Sequence, residues 1–328
     1  MQEVKERGRC LKNILPTAGL GGTPMLRLES DDAAQLVREA HKGEMTLFHA
    51  DSIEAAKRMA AGLSGVDRSE YKLMASVRSA DELLDYLAAF STDRIDIALL
   101  VTDGGFDPSG LEELKTIGRI GAIGLETRRL SDAVLKAERG EYEVIAMPLN
   151  CLACDEELEA VSRIRACGVE IAALEPMAGG LWQSPRGAVA FLRSIGASPV
   201  FGVQYMWQLE QLLPIVKSVP PLDEELWSEI HGERSRLAAS YCRGCGECMP
   251  CPAGIDIPLA ARMGQFIDSM EVEPLISADT ERKMRLVKRC VGCGRCMEAC
   301  RFHLPVRELM RANAERYREF LREHGGLE

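Results

Sequence analysis

Eight cysteines stand in two short runs near the C-terminus of this 328-residue chain. Cys242, Cys245, Cys248 and Cys251 read C-x2-C-x2-C-x2-C and are followed by Pro252. Cys290, Cys293, Cys296 and Cys300 read C-x2-C-x2-C-x3-C. Cysteines at intervals of three let one loop wrap its sulfurs around a compact inorganic core, and a fourth thiolate from a distant segment closes the site, as in four-iron ligation. Zinc modules usually separate their C-x2-C pairs by about a dozen residues or more. A disulfide framework requires a small secreted chain, and the opening MQEVKERGRC has charges with no apolar stretch behind it, so no secretory signal is expected. All eight cysteines are therefore expected to ligate metal, in two [4Fe–4S] clusters.

Ahead of the cysteine runs, short β-branched segments alternate with amphipathic ones. Strands are expected at 20–26, 45–50, 71–77, 96–101, 122–125, 143–149, 169–174 and 198–203. Helices are expected at 31–42, 52–63, 79–90, 108–118, 129–138, 154–166 and 207–217, with apolar residues at three- and four-residue spacing, as in Leu83, Leu84, Leu87 and Phe90. Eight strand–helix units indicate a closed (β/α)8 TIM barrel; a doubly wound sheet lacks its G-x-G-x-x-G after the first strand. Val219-Pro220-Pro221 reads as a linker. The expected domains are a barrel over 1–218 and a small all-α domain over 219–328. Within the latter, helices at 223–240, 256–270, 278–288 and 305–323 leave the cysteines in the loops. So short a segment has little core, and its cysteines are expected to supply much of its folding free energy.

Composition narrows the partners. A net charge of −10 offers no basic face for nucleic acid. It suits a basic redox partner, although acidity also serves solubility. No apolar stretch reaches the length of a bilayer, so no membrane insertion is expected. Many unpaired cysteines imply a reducing, cytoplasmic setting. The partners expected are a redox protein or a small-molecule substrate.

Six barrel segments, GLGGTPM (19–25), TDRIDIALL (92–100), IGRIGAIGLE (117–126), MPLNCL (147–152), GVEIAALEPMAGG (168–180) and VFGVQYMWQLEQL (200–212), resemble the aldo/keto reductases. The tail segments YCRGCGECMPCPAGIDIP (241–258) and CVGCGRCMEACRFHLPVREL (290–309) are similar to the branch of that family with a C-terminal ferredoxin-like domain. Arg301 departs from the pattern, standing where a proline usually follows the last cysteine. The resemblance implies an aldo/keto reductase-like barrel, a nicotinamide hydride donor and an Asp, Tyr, Lys and His tetrad. Here His49 falls at the Asp position, Glu54 at the Tyr, Val77 at or beside the Lys and Val101 at the His. Two valines neither donate a proton nor tune a donor. Standard carbonyl reduction and NAD(P)H binding are accordingly disfavoured.

The two-cluster ferredoxin arrangement further implies an exchange of ligands. Cys300 would complete the cluster of Cys242, Cys245 and Cys248, and Cys251 that of Cys290, Cys293 and Cys296. Closure within each run stays open, because the first run has only two residues before its last cysteine.

Active sites of such barrels form at the C-terminal ends of the strands. Those ends offer His49, Asp51, Asp103, Glu126, Asn150, Cys151, Cys154 and Glu175. Cys151 and Cys154 form a C-x2-C at a helix start, where a thiol pKa is lowered. With His49 they are the candidate catalytic residues, as a redox dithiol or a metal site; the alternative is small apolar packing in a turn. The chain reads as an iron–sulfur oxidoreductase or electron-transfer protein with a degenerate barrel. The alternatives are an active NAD(P)H-dependent reductase with a rebuilt site, and a sensor or scaffold with structural clusters.

Overall fold

The computed structural model describes residues 13–101, 109–237 and 239–324. Cys10 and Asp103 lie outside the described residues. By contact the chain forms two units: Met1–Pro176 with Ser184–Asp223, and Met177–Gln183 with Glu224–Glu328. The loop after the seventh strand thus groups with the tail.

In the first unit eight strands run β1 Gly19–Gly21, β2 Leu47–Ala50, β3 Lys72–Val77, β4 Ile95–Val101, β5 Ile120–Glu126, β6 Val144–Pro148, β7 Glu170–Leu174 and β8 Ala197–Gly202. Each pairs in parallel with the next, and β1 pairs with β8 to close the barrel. The helices between them are α1 Ser30–Lys42, α2 Ile53–Gly62, α3 Ala80–Ala89, α4 Ser109–Thr116, α5 Leu130–Glu138, α6 Asp155–Ala166, α7 Pro185–Ser194 and α8 Met206–Lys217. Ser52 and Ser79 cap α2 and α3 by accepting from Ala55 N–H at 3.2 Å and Glu82 N–H at 3.0 Å. The first strand is shorter than expected: it stops at Gly21, and Thr23–Arg27 turns as a 3-10 helix. Pro24 has no N–H to give a strand ladder and fixes the φ that such a turn needs.

Inside the barrel, Leu47, Met74, Ile97, Leu99, Ala122, Val144, Ala146, Ala172 and Val200 form one packed layer. Side chains alternate along a strand, so the next inward positions towards the C-terminal mouth include His49, Ser76, Val101 and Glu126. At the opposite end Ile14 and Leu15 pack on the same layer, and their N–H groups donate to the two oxygens of Glu170 at 2.7 and 2.8 Å.

The second unit contains α9 Glu224–Leu237, α10 Ile257–Ser269, α11 Val272–Leu275, α12 Ala278–Arg285, α13 Arg295–Glu298 and α14 Val306–Glu323. Asp256 starts α10 by accepting from Leu259 N–H at 3.1 Å, with Pro258 in the first turn. The short α11 and α13 were not expected from the periodicity. The unit also has more core than its length suggested: fourteen described residues, among them Met263, Met310, Tyr317 and Phe320, form a buried cluster. α14 crosses α10 closely, and Asn313 Nδ2 donates to Ala260 O and Ala261 O at 3.0 and 2.8 Å. Cys242, Cys248, Cys251, Cys290, Cys296 and Cys300 pack against the edge of this cluster. The expectation of a nearly coreless tail is thereby corrected: the cysteines sit on a core that the helices build.

Removing the Glu170 carboxylate strands two N–H groups at the closed end of the barrel. Glu170→Ala is expected to cost about 1–3 kcal/mol of stability, read from urea denaturation; an unchanged midpoint would show that water serves these groups equally well.

Candidate functional site

The cysteines of the second unit sort themselves across the sequence runs. Cys251, Cys290, Cys293 and Cys296 line one cavity, together with Cys248 and Arg307. Burial pushes the thiols of Cys242, Cys245 and Cys248 up, the last to about 12, and Cys300 adds to the rise at all three. Cys300, from the end of the second run, is therefore an electrostatic neighbour of the first three cysteines. At Cys296 the rise comes from burial, then from Cys290 and Cys293 among neighbouring side chains.

Two contacts produce this sorting. Arg301 Nε donates to Glu247 Oε2 at 2.8 Å, tying the residue after Cys300 to the loop between Cys245 and Cys248. Arg243, itself buried, lies 4.2 Å from the ring centre of Phe302 and donates to Tyr241 O at 3.0 Å. Arg301 thus does by ion pairing what proline does by stiffness in the resembling tails: it holds the exit of the second run in place.

The donors around the thiols suit an anionic group. Gly244 N–H points at Cys242 Sγ, 3.4 Å away, and Arg262 lowers the Cys242 thiol against the stronger effect of burial. Arg307 Nε is buried with no hydrogen-bond partner among the described residues, on a residue that lines the cavity of Cys251, Cys290, Cys293 and Cys296. Gly292 has φ +70, and a Cβ there would meet the Arg307 guanidinium at 3.1 Å; glycine is what lets the arginine lie against the loop. Buried thiols, one orphaned guanidinium donor and a lining of sulfur fit a thiolate-ligated cluster, whose negative charge the arginine would meet. Among the described residues no three His, Cys, Asp or Glu side chains are gathered for a single metal ion. A four-iron centre asks for its sulfurs to stand apart around a core.

In the barrel, His49 Nε2 lies 2.8 Å from Ser76 Oγ, and Ser76 Oγ donates to Glu126 Oε2 at 2.5 Å. A carboxylate only accepts, so the single Ser76 proton goes to Glu126 and the serine accepts from His49 Nε2–H. The three form one chain across the mouth, from β2 through β3 to β5. The sequence placed the β3 position at or beside Val77 and did not single out Ser76. The register turns Ser76 inwards and leaves Val77 on the outer face, buried. A serine between apolar residues carries no spacing signal; only strand alternation identifies it. Asp51 Oδ2 accepts from the Thr23 hydroxyl. Asp51 Oδ1 and the Tyr86 hydroxyl are both buried without a partner among the described residues, and burial, followed by Glu82 and Asp51, raises the Tyr86 phenol.

Glu175, expected at a strand end, is held by Arg128 Nη2 at 2.6 Å, and its carbonyl accepts from Asn150 Nδ2 at 3.2 Å. Its φ of 51 is unusual for a side chain of this kind. Cys151 is fully buried. Cys154 is the residue before α6, and its N–H donates to Glu157 Oε2 at 3.0 Å. The expected lowering of its thiol is overturned: burial pushes it up to about 12, and Glu156 and Glu157 add to the rise. Burial, reinforced by Glu156, outweighs what the helix end would do. Among the described residues His49, Cys151 and Cys154 belong to no three-residue metal-holding group. No helix among the described residues is long and apolar enough to cross a membrane.

Residues 235–301 match the model of the 4Fe-4S dicluster domain family. The barrel has the aldo-keto reductase fold. The aldo-keto reductase of Bacillus halodurans, in its holo form, superposes with a TM-score of 0.58 at 18% identity, over 66% of this chain and 91% of its own. A putative 2,5-diketo-D-gluconic acid reductase B gives 0.56 at 16% identity, over 67% and 88%. The Bombyx mori aldo-keto reductase, solved in complex with NADP, gives 0.55 at 14%, over 67% and 89%. No curated protein sequence matches the chain.

Two outcomes follow from the barrel mouth. Iodoacetamide should leave Cys151 and Cys154 unlabelled in the folded protein at neutral pH, with Cys154 labelling rising only towards pH 12; peptide mapping showing fast neutral labelling would contradict the burial argument. Ser76→Ala should strand both His49 and Glu126 and lower stability by about 1–3 kcal/mol, measured by chemical denaturation.

Proposed function

We propose that the chain is an iron–sulfur oxidoreductase that moves single electrons through two [4Fe–4S] clusters held in its tail. Cys242, Cys245, Cys248 and Cys300 would hold one; Cys251, Cys290, Cys293 and Cys296 would hold the other. The observation that supports this reading is that Cys300 neighbours Cys242, Cys245 and Cys248 while Cys251 shares a cavity with Cys290, Cys293 and Cys296, which Cys248 also lines, in a segment similar to the dicluster family. When bound, such clusters supply one-electron exchange at a potential set by charge, hydrogen bonds and exposure. The chain's own residues do the rest. Iron would replace protons on thiols that burial keeps protonated, which makes cluster binding and thiolate formation one event. Gly244 N–H would bond a ligand sulfur, and Arg307 would place positive charge beside the second set, favouring its reduced form.

The barrel we read as no longer carrying out standard hydride transfer to carbonyls. Its inward mouth positions include His49, Ser76, Val101, Glu126, Pro148, Leu174 and Gly202, with no lysine or tyrosine among these. A second reading, a reductase with a rebuilt site using NAD(P)H, has one observation in its favour. The chain His49–Ser76–Glu126 is a continuous hydrogen-bonded path inside the mouth, and such a path can hold and pass a proton. In that reading His49 Nδ1 would be the end facing a substrate. Either reading places the protein where thiols stay reduced.

Anaerobic purification should yield about eight iron and eight sulfide per chain, as two four-iron centres require; a colourless, zinc-loaded protein would end the proposal. Cys251→Ser should perturb the cluster of Cys290, Cys293 and Cys296, and Cys300→Ser that of Cys242, Cys245 and Cys248, resolved by EPR of the reduced forms. Each substitution disturbing its own run instead would refute the exchange. Arg307→Leu should lower the potential of the cluster in the second set alone, because a cation stabilises the more negative reduced state.

A further inference from the structure

The rim of the second cysteine set carries charge opposite to that of the chain. Between residues 282 and 299 stand six cations, Arg282, Lys283, Arg285, Lys288, Arg289 and Arg295, against a single carboxylate, Glu298, in a protein of net charge −10. The first three are engaged: Arg282 and Lys283 pair with Asp279, and Arg285 with Glu281. Lys288, Arg289 and Arg295 are exposed and have no ion pair among the described residues. They flank the loop that presents Cys293, the one exposed cysteine among those described. Beside it Val291 is 77% exposed and Met297 39%, and both also line the cavity of the second set.

We propose that this rim is the docking face for an acidic protein electron carrier, with the Cys293 edge as the point of electron entry. The inference rests on the iron–sulfur reading of the tail and adds the partner's class and its place of contact. An exposed valine and methionine around a thiolate are a cost in water unless something covers them at intervals. A small apolar centre with a charged rim is the make-up of a transient interface, in which opposite charge steers the encounter and sets orientation. The three unengaged cations supply that charge on a molecule that would otherwise repel an acidic carrier. At the first set, by contrast, Arg243 is buried and Arg301 is engaged by Glu247. In the step itself the reduced carrier loses one electron and the second cluster gains it; no bond forms or breaks.

Binding of the intact, iron-loaded protein to a plant-type ferredoxin and to flavodoxin, both acidic, and to basic cytochrome c is measured by calorimetry at low and at physiological ionic strength. Native protein should prefer the acidic carriers and lose affinity as salt rises, since exposed charges are screened beyond about 8 Å at physiological strength. Lys288→Glu/Arg289→Glu/Arg295→Glu should weaken acidic-carrier binding by about tenfold or more and turn the preference towards cytochrome c. A control on α14, Arg318→Glu/Arg322→Glu, should change neither. Lys288→Ala alone should show the same trend in smaller measure, should the triple variant lose iron. Salt-independent binding, a native preference for cytochrome c, or a collar that captures only DNA or anionic vesicles would overturn the inference. Absence of iron and sulfide from the native protein would instead overturn the reading beneath it.

Discussion

An ion pair between Arg301 and Glu247 joins the two cysteine runs of the tail. It joins the residue after the last cysteine to a loop more than fifty positions earlier, and the Arg243 stack on Phe302 makes the same connection one residue further on. Cys300 is an electrostatic neighbour of the first three cysteines, while Cys251 lines a cavity with Cys290, Cys293 and Cys296. An arginine in place of the usual proline is therefore no loss: a charged side chain reaching across gives the fixity that a rigid ring gives locally.

Burial sets the second constraint. Cys242 and Cys248 lie against a helical core, and burial there pushes both thiols up. A cation-poor apolar edge would be a poor place for four thiolates and an anionic cluster. The arginines near it, Arg262 beside Cys242 and Arg307 in the wall of the second cavity, offset that cost where iron would take the place of protons. The exposed cations outside the second set continue the same pattern towards solvent, where they face whatever approaches.

In the barrel the controlling feature is alternation along the strands. A shift of one residue exchanges the inner and outer faces, and it separates the outward Val77 from the inward Ser76. The mouth thereby holds a polar chain from His49 to Glu126 in place of an apolar plug. At Cys154 burial prevails over helix position: it pushes the thiol up, and Glu156 adds to the rise.

Spacing and periodicity were legible in the chain itself. The cysteine runs, the eight strands, seven of the eight barrel helices and the helix starts at Asp256 and Pro305 depend on neighbours within one or two turns, and local patterns record local geometry. Which cysteines share a cavity, which serine meets His49, how far burial raises a thiol and how much core the tail owns were decided only in three dimensions. Each depends on residues brought together from distant positions, where charge, exposure and packing are properties of the assembled neighbourhood and not of the order in which its members were joined.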